Sequence, residues 1–195
     1  MPGGGQRGRM RMLRWRTIAA GPDCGNATPA HPGPDLRENR KNRPDAAAAA
    51  SGGLAELSIS QLGVQKATDD ELKRFSQQMI DDHTRMNREL MDLAARKQIA
   101  LPRQADVRAQ FCAQSLAGLS GEDFNRCYAK AQCLAHMDAV ATFEAEAERG
   151  QDPDVKALAA RALPRIKDHL KMIKPIAMRF DKEKEQPAGA EKTGR

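Results

Sequence analysis

The feature that most constrains the fold of this chain is an apolar stripe of helical period with one histidine inside it. Spacings of three or four residues put every member of the stripe on one face of a helix, as in a bundle seam. Thr68, with Glu71 three residues later, forms a capping box and predicts a helix from about residue 68 to about residue 97. The stripe consists of Leu72, Phe75, Met79, His83, Met86, Leu90 and Leu93.

Two later segments repeat this arrangement, over about residues 121–149 and 153–180. His136 lies on the apolar stripe of the first segment and His169 on that of the second. His83, His136 and His169 lie 14, 15 and 16 residues from the predicted starts of their helices (83 − 69, 136 − 121 and 169 − 153). At about 1.5 Å per residue, each ring is roughly 21–24 Å into its helix. A residue in the middle of a helix lies at the same level of a bundle whichever way the helix runs. We therefore expect the three rings to meet even when neighbouring helices are antiparallel.

The rest of the ordered chain also has helical character. Shorter helices are predicted at about 54–66 and 104–117, and no window alternates with the period of a strand. The expected fold class is therefore all-α, an antiparallel up-and-down bundle with short connections. Residues 1–53 are rich in Gly, Pro, Arg and Ala and are predicted to be a disordered tail. Residues 54–180 form the predicted bundle domain, and residues 181–195 a second disordered, charged tail.

The net charge of +6 is unevenly distributed. Residues 1–53 carry +5 (9 − 4), residues 54–180 carry +1 (19 − 18), and residues 181–195 carry 0 (4 − 4). A nucleic-acid-binding domain needs a basic surface of its own with aromatic side chains for stacking. The nearly neutral predicted domain argues against nucleic acid as a partner. An oligomer or a protein partner stays open.

Three imidazoles at one level of a helical core are a candidate site for zinc, copper or iron. Asn87 follows His83 by one turn and is predicted to orient its ring. The alternative is that each histidine is an ordinary buried polar residue with a hydrogen-bond partner. The carboxylate diiron pattern needs Glu three residues before His, whereas Ile80, Cys133 and Ile166 stand there, so ferroxidase chemistry is not expected.

Cys112 and Cys127 flank the predicted turn at 118–121 symmetrically. In an antiparallel helical hairpin they would lie at the same height, within reach of a disulfide if both point inward. The disulfide requires an oxidising compartment; in a reducing one, both would be core thiols.

No apolar run is long enough to cross a membrane. The basic start is followed only by TIAAG, so no signal peptide is recognised.

Three segments together resemble the ferritin-like "domain of unknown function" family 4142: GGLAELSISQLGVQKATDDELKRFSQQMIDDHTRMNREL, FNRCYAKAQCLAHMDAVATFE and DPDVKALAARALPRIKDHL. The resemblance implies a four-helix up-and-down bundle of bacterial origin, usually exported to the periplasm or cell envelope. It also places His83, Asn87, His136, Pro164 and His169 on motif positions. Through it, Glu56 matches a glutamate of the first helix and becomes a candidate fourth metal ligand.

Three functions follow as expectations. The leading one is a non-enzymatic bundle protein of the bacterial envelope that binds a transition metal through its mid-bundle histidines. The second is a metal-dependent oxidase or peroxide-handling enzyme, which needs a redox-active ion with an open coordination position. The third is a structural or partner-binding bundle whose histidines are satisfied within the core. The sequence leaves the location open as well, since a cytoplasmic protein would also lack a signal peptide.

Overall fold

The structure is a computed structural model that describes residues 38–185, with side chains described for residues 46–182. All regular secondary structure in this range is helical, which confirms the all-α class. The helices are α1 (Glu38–Lys66), α2 (Asp70–Arg96), α3 (Val107–Ala117), α4 (Gly121–Arg149) and α5 (Pro153–Glu185). Between residues 38 and 185, no helix combines the length and apolarity that a membrane crossing requires.

Helix α1 begins at Glu38, well before the predicted start at residue 54. The predicted boundary between tail and domain at 53/54 therefore falls inside a helix. Ala is the strongest helix former, and Ala46 and Ala50 are buried in a small cluster with Leu90, Ala94 and Ile99. Helix α5 likewise continues past the predicted boundary at residue 180. Residues 1–37 and 186–195, which hold the remainder of the two predicted tails, lie outside the described residues.

The start of α2 differs in detail from the prediction. Asp69, rather than Thr68, caps the helix, and its side chain accepts a hydrogen bond from Leu72 N at 3.0 Å. The Thr68 hydroxyl instead accepts from Asn125 Nδ2 at 2.7 Å, and Thr68 N donates to Asn125 Oδ1 at 3.0 Å. Thr68 thus fastens the start of α2 to α4.

Two helix pairs form most of the packing: α1 lies along α2, and α4 lies along α5. Contacts of α2 with α5 and of α1 with α4 join the pairs, and α3 packs on α1 and α4. The main core lies where these long helices meet. It contains Ile59, Ala67, Leu72, Phe75, Met79, Leu116, Phe124, Tyr128, Ala129, Ile173, Ala177 and Phe180.

Gly63 permits the close approach of α1 to α2 and α4. A Cβ at this position would lie 2.1 Å from Ser76 Oγ and 2.6 Å from the Tyr128 ring. The hydroxyls of Ser76 and Tyr128 share a buried hydrogen bond of 2.7 Å. A glycine in a helix interior costs about 0.5–1 kcal/mol relative to alanine, and here it leaves room for this hydrogen-bonded pair.

Asp152 is predicted from sequence to cap α5, and the structure confirms it. Its Oδ1 accepts hydrogen bonds from Asp154 N at 2.9 Å and Val155 N at 3.0 Å. Its Oδ2 lies 2.7 Å from Lys97 Nζ, so the same carboxylate ties α5 to the end of α2. Burial alone would raise the pKa of Asp152, but the Lys97 ammonium and the two backbone N–H groups lower it overall.

We predict that Asp152→Ala lowers the free energy of unfolding by about 1–3 kcal/mol, because it removes a helix cap and a buried ion pair. Asp154→Ala is the matched control, since that side chain is 63% exposed although it also pairs with Lys97. Because the folded pKa of Asp152 is lowered, its stabilisation is present above the ordinary value of 3.8 and is lost as the pH falls through the folded pKa. Urea unfolding at pH 7 and at pH 3 measures both effects. Equal losses for the two variants at pH 7 would contradict the assignment.

Candidate metal centre

Three helices each bring one histidine to the same place in the core. His83 of α2, His136 of α4 and His169 of α5 are 9%, 2% and 0% exposed. Their ring centroids are 5.4–6.0 Å apart. Each residue offers one ligand atom to a set whose members all lie within 4.8 Å of one another. The expectation from helix depth, that the three rings meet at one level, agrees with this geometry.

Hydrogen bonds to the outer nitrogens decide which nitrogen of two of the rings faces the centre. His136 Nδ1 lies 2.9 Å from the carbonyl oxygen of Gln132, one turn earlier on α4. His169 Nε2 lies 2.9 Å from Asp82 Oδ2. A carbonyl and a carboxylate only accept hydrogen bonds, so in the neutral rings these two nitrogens carry the hydrogen. The lone pairs are left on His136 Nε2 and His169 Nδ1.

The two nitrogens that carry these lone pairs have no partner among the described residues, and neither has His83 Nε2. His136 Nε2, His169 Nδ1 and His83 Nε2 are all buried without a hydrogen bond. A buried polar atom without a partner costs on the order of 1–3 kcal/mol. A histidine that were merely satisfied in the core would not show this pattern. The arrangement instead presents three ligand atoms to one point.

Burial keeps two of the rings, His83 and His169, in the neutral form that binds metals. The pKa of His83 is lowered to about 3, chiefly by burial and further by the charges of His136 and His169. Burial also lowers the pKa of His169, although the hydrogen bond from its ring to Asp82 opposes the change. At neutral pH, His83 and His169 are therefore uncharged, as a metal ligand must be.

Asp82 is a residue of the candidate site that the sequence reasoning missed. Its side chain is 4% exposed and contacts Arg85 as well as His169, with Arg165 Nη1 3.8 Å away. Burial alone would raise the pKa of Asp82, but the His169 hydrogen bond and the charges of Arg165, His169 and Arg85 lower it. The carboxylate therefore stays ionised and holds the His169 ring in one orientation. The sequence feature that could have identified Asp82 is its position next to His83. Consecutive residues of an α-helix lie about 100° apart around the axis, so Asp82 faces α5.

Glu56 supplies a carboxyl group from α1, the helix that carries none of the three histidines. It is 9% exposed, and its Oε2 is buried without a partner. Burial raises its pKa, against the opposing effects of His136 and Gln132. Because α1 begins at Glu38, Glu56 lies in the middle of the helix rather than at its start. It is not a member of the set of atoms within 4.8 Å of one another.

Asn87 packs against α1. A Cβ built on Gly53 would lie 1.9 Å from Asn87 Oδ1, so the amide packs directly on the α1 backbone. Asn87 Nδ2 is buried without a partner. No hydrogen bond among the described side chains joins Asn87 to His83.

The described cysteines are free thiols. Cys112, Cys127 and Cys133 are all half-buried, and all three pack against the main core. The disulfide predicted between Cys112 and Cys127 is thus not formed in this structure.

An all-helical protein with a buried three-histidine cluster is the class that the fold and the site define. The chain belongs to the family described as "Domain of unknown function (DUF4142)", whose sequence profile matches residues 27–176. This match confirms the family indicated by the sequence resemblance.

A solved structure with a similar fold is that of a DUF305 fragment from Deinococcus radiodurans, with a TM-score of 0.63. The two sequences are 12% identical, and the match covers 76% of this chain and 99% of that one. At this identity the likeness concerns the fold alone. No curated protein matches this chain.

We predict that Asp82→Ala lowers the free energy of unfolding by about 1–3 kcal/mol, because it leaves His169 Nε2 buried without an acceptor. Asp81→Ala is the matched control, since Asp81 is the exposed neighbour and its loss should change stability by no more than about 0.5 kcal/mol. Chemical unfolding of the two variants at neutral pH measures the difference. Similar stabilities for both would show that Asp82 does not support His169.

Proposed function

We propose that this protein binds one transition metal ion through His83 Nε2, His136 Nε2 and His169 Nδ1. The observation that carries the proposal is that these three nitrogens are buried, unpartnered and belong to residues whose ligand atoms lie within 4.8 Å of one another. A bound ion would satisfy all three lone pairs at once. It would also account for a cluster of polar atoms that a purely structural core would be more stable without.

Imidazole nitrogens suit zinc, copper and iron, and we propose that the ion is one of these. Zinc lies about 2.0–2.1 Å from each nitrogen, which places tetrahedral ligands about 3.3 Å apart. The ligand atoms lie within 4.8 Å of one another, so any approach needed to bind zinc is at most about 1.5 Å. Three protein ligands leave a fourth position, for which Glu56, a water molecule or an exogenous ligand compete. The hydrogen bonds to Asp82 and to the Gln132 carbonyl would fix the His169 and His136 rings during this movement.

In a ferritin-like bundle, each of the four long helices would supply one residue to the proposed site. We take α1, α2, α4 and α5 as the four helices of an antiparallel up-and-down bundle, supported by the short connections within the α1–α2 and α4–α5 pairs. Three of these helices then supply one histidine each, and α1 supplies Glu56. A carboxylate diiron centre needs Glu-x-x-His motifs, and the residues three before each histidine are Ile80, Cys133 and Ile166. The site is therefore proposed to hold a single ion.

We place the protein in the bacterial cell envelope as a non-enzymatic metal-binding bundle. The family resemblance supports this location. An oxidising location would also allow an oxidised pair of Cys112 and Cys127, because the two cysteines flank the turn between α3 and α4 symmetrically. Peptide mapping without reductant, on protein recovered from the envelope, would detect this pair and leave Cys133 as a thiol. Finding Cys112 and Cys127 reduced there would contradict the pairing.

The direct test is elemental analysis of protein purified without a histidine tag. We expect one zinc, copper or iron ion per chain. His136→Ala should lose the metal, with affinity reduced by more than the about 10–100-fold typical of an outer hydrogen-bond partner. His31→Ala is the matched control, because His31 is the fourth histidine of the chain and lies outside the described residues.

The proposal fails if the protein stays without metal at micromolar free zinc, copper and iron, or if His31→Ala and His136→Ala retain metal equally.

A metal-dependent oxidase or peroxide-handling enzyme is the second candidate. It is favoured if the ion is iron or copper and the protein consumes peroxide, and excluded if the site takes only zinc. A structural role predicts that His136→Gln changes stability without changing any metal content.

A further inference from the structure

A buried polar cluster lies between α1 and α4, and none of the three histidines belongs to it. Ser60 and Gln132 are 0% and 1% exposed, and Glu56 is 9% exposed. Four of their atoms are buried without a hydrogen-bond partner: Glu56 Oε2, Ser60 Oγ, Gln132 Nε2 and Gln132 Oε1. We call these three side chains the α1-side pocket.

The α1-side pocket adjoins the three-histidine centre. Gln132 precedes His136 by one turn on α4, and its backbone carbonyl holds the His136 ring. Glu56 is close enough to His136 for the charge of that ring to lower its pKa. The Gln132 side chain lies beside both Glu56 and Tyr128, and Ser60 lies beside Tyr128, in weak polar contacts that fall short of normal hydrogen-bond geometry. Since α2, α4 and α5 supply the histidines, the pocket forms the side of the centre that faces α1.

Four unpartnered polar atoms in one buried place call for a polar occupant. Each such atom is costly when left alone, whereas apolar side chains of the same volume would carry no such cost. The pocket offers donors in Gln132 Nε2 and the Ser60 hydroxyl, and acceptors in Gln132 Oε1 and Glu56 Oε2. Because its side chains are almost fully enclosed, the occupant must be small.

We infer that the α1-side pocket binds a small inorganic anion of two or three atoms, such as azide or hydroperoxide, on the open side of the proposed metal ion. Gln132 Nε2 and the Ser60 hydroxyl would donate hydrogen bonds to the anion while one of its atoms coordinates the ion. The O–H of hydroperoxide would in turn donate to Gln132 Oε1 or Glu56 Oε2. Azide has no hydrogen and would use only the two donors. Imidazole ligands in the neutral form do not reduce the charge of a divalent ion. The net charge at the site would therefore stay positive even with Glu56 ionised, and a positive charge attracts an anion. This inference rests on the proposed metal site and names the ligand of its fourth position.

The test is a titration of the cobalt-loaded full chain with azide, followed by visible absorption of the cobalt ion. We expect a saturable change in the cobalt spectrum. Gln132→Leu should weaken azide binding by about tenfold or more, because it removes a hydrogen bond to a charged ligand. Ser60→Ala should weaken it in the same direction. Gln114→Leu is the matched control, since Gln114 is exposed on α3.

Cobalt content and circular dichroism are measured for every variant, so that azide affinity is compared per bound cobalt in folded protein. If cobalt binds but azide causes no saturable change, or binds equally to wild type, Gln132→Leu and Ser60→Ala, the inference is wrong and the pocket holds structural water only. If cobalt does not bind the wild-type chain, the proposed metal site itself fails and the inference falls with it.

Discussion

The convergence of three imidazoles at one level of the helical core is the constraint on which the rest of the structure depends. Two of the rings are oriented by acceptors on their outer nitrogens, the Asp82 carboxylate and the Gln132 carbonyl. Those acceptors decide where the lone pairs lie. The helices bring the histidines close together, and the outer hydrogen bonds orient the His136 and His169 rings so that their free nitrogens can act as ligand atoms.

This arrangement buries polar atoms that have no partner among the described residues. Eight buried side-chain atoms of the described residues lack a partner, and seven of them belong to the histidines, Glu56, Ser60 and Gln132 around the centre. The eighth, Asn87 Nδ2, lies on the α1 face as well. Elsewhere in the core, polar groups are paired, as Ser76 is with Tyr128 and Asp152 with Lys97. Unsatisfied polar atoms concentrated in one place are typical of a binding site rather than of an ordinary core.

Much of this architecture could be predicted from the sequence because helical periodicity and helix starts are local signals. The starts of α2, α4 and α5 placed His83, His136 and His169 at equal depth, and depth is what brings them together. The start of α1 was missed because an Ala-rich segment shows no apolar stripe, and the burial of Ala46 and Ala50 depends on close approach to α2. Asp82 and Gln132 were missed for a different reason. Their roles depend on which helix faces them, and a single sequence does not contain that information.

The most direct test of the central claim is a crystal structure of the zinc-loaded protein with anomalous diffraction data on both sides of the zinc edge. The account predicts one anomalous peak about 2.0–2.1 Å from His83 Nε2, His136 Nε2 and His169 Nδ1. The Asp82–His169 and Gln132–His136 hydrogen bonds should be kept in that structure. A peak elsewhere, or ordered water in place of zinc between the three rings, would contradict it.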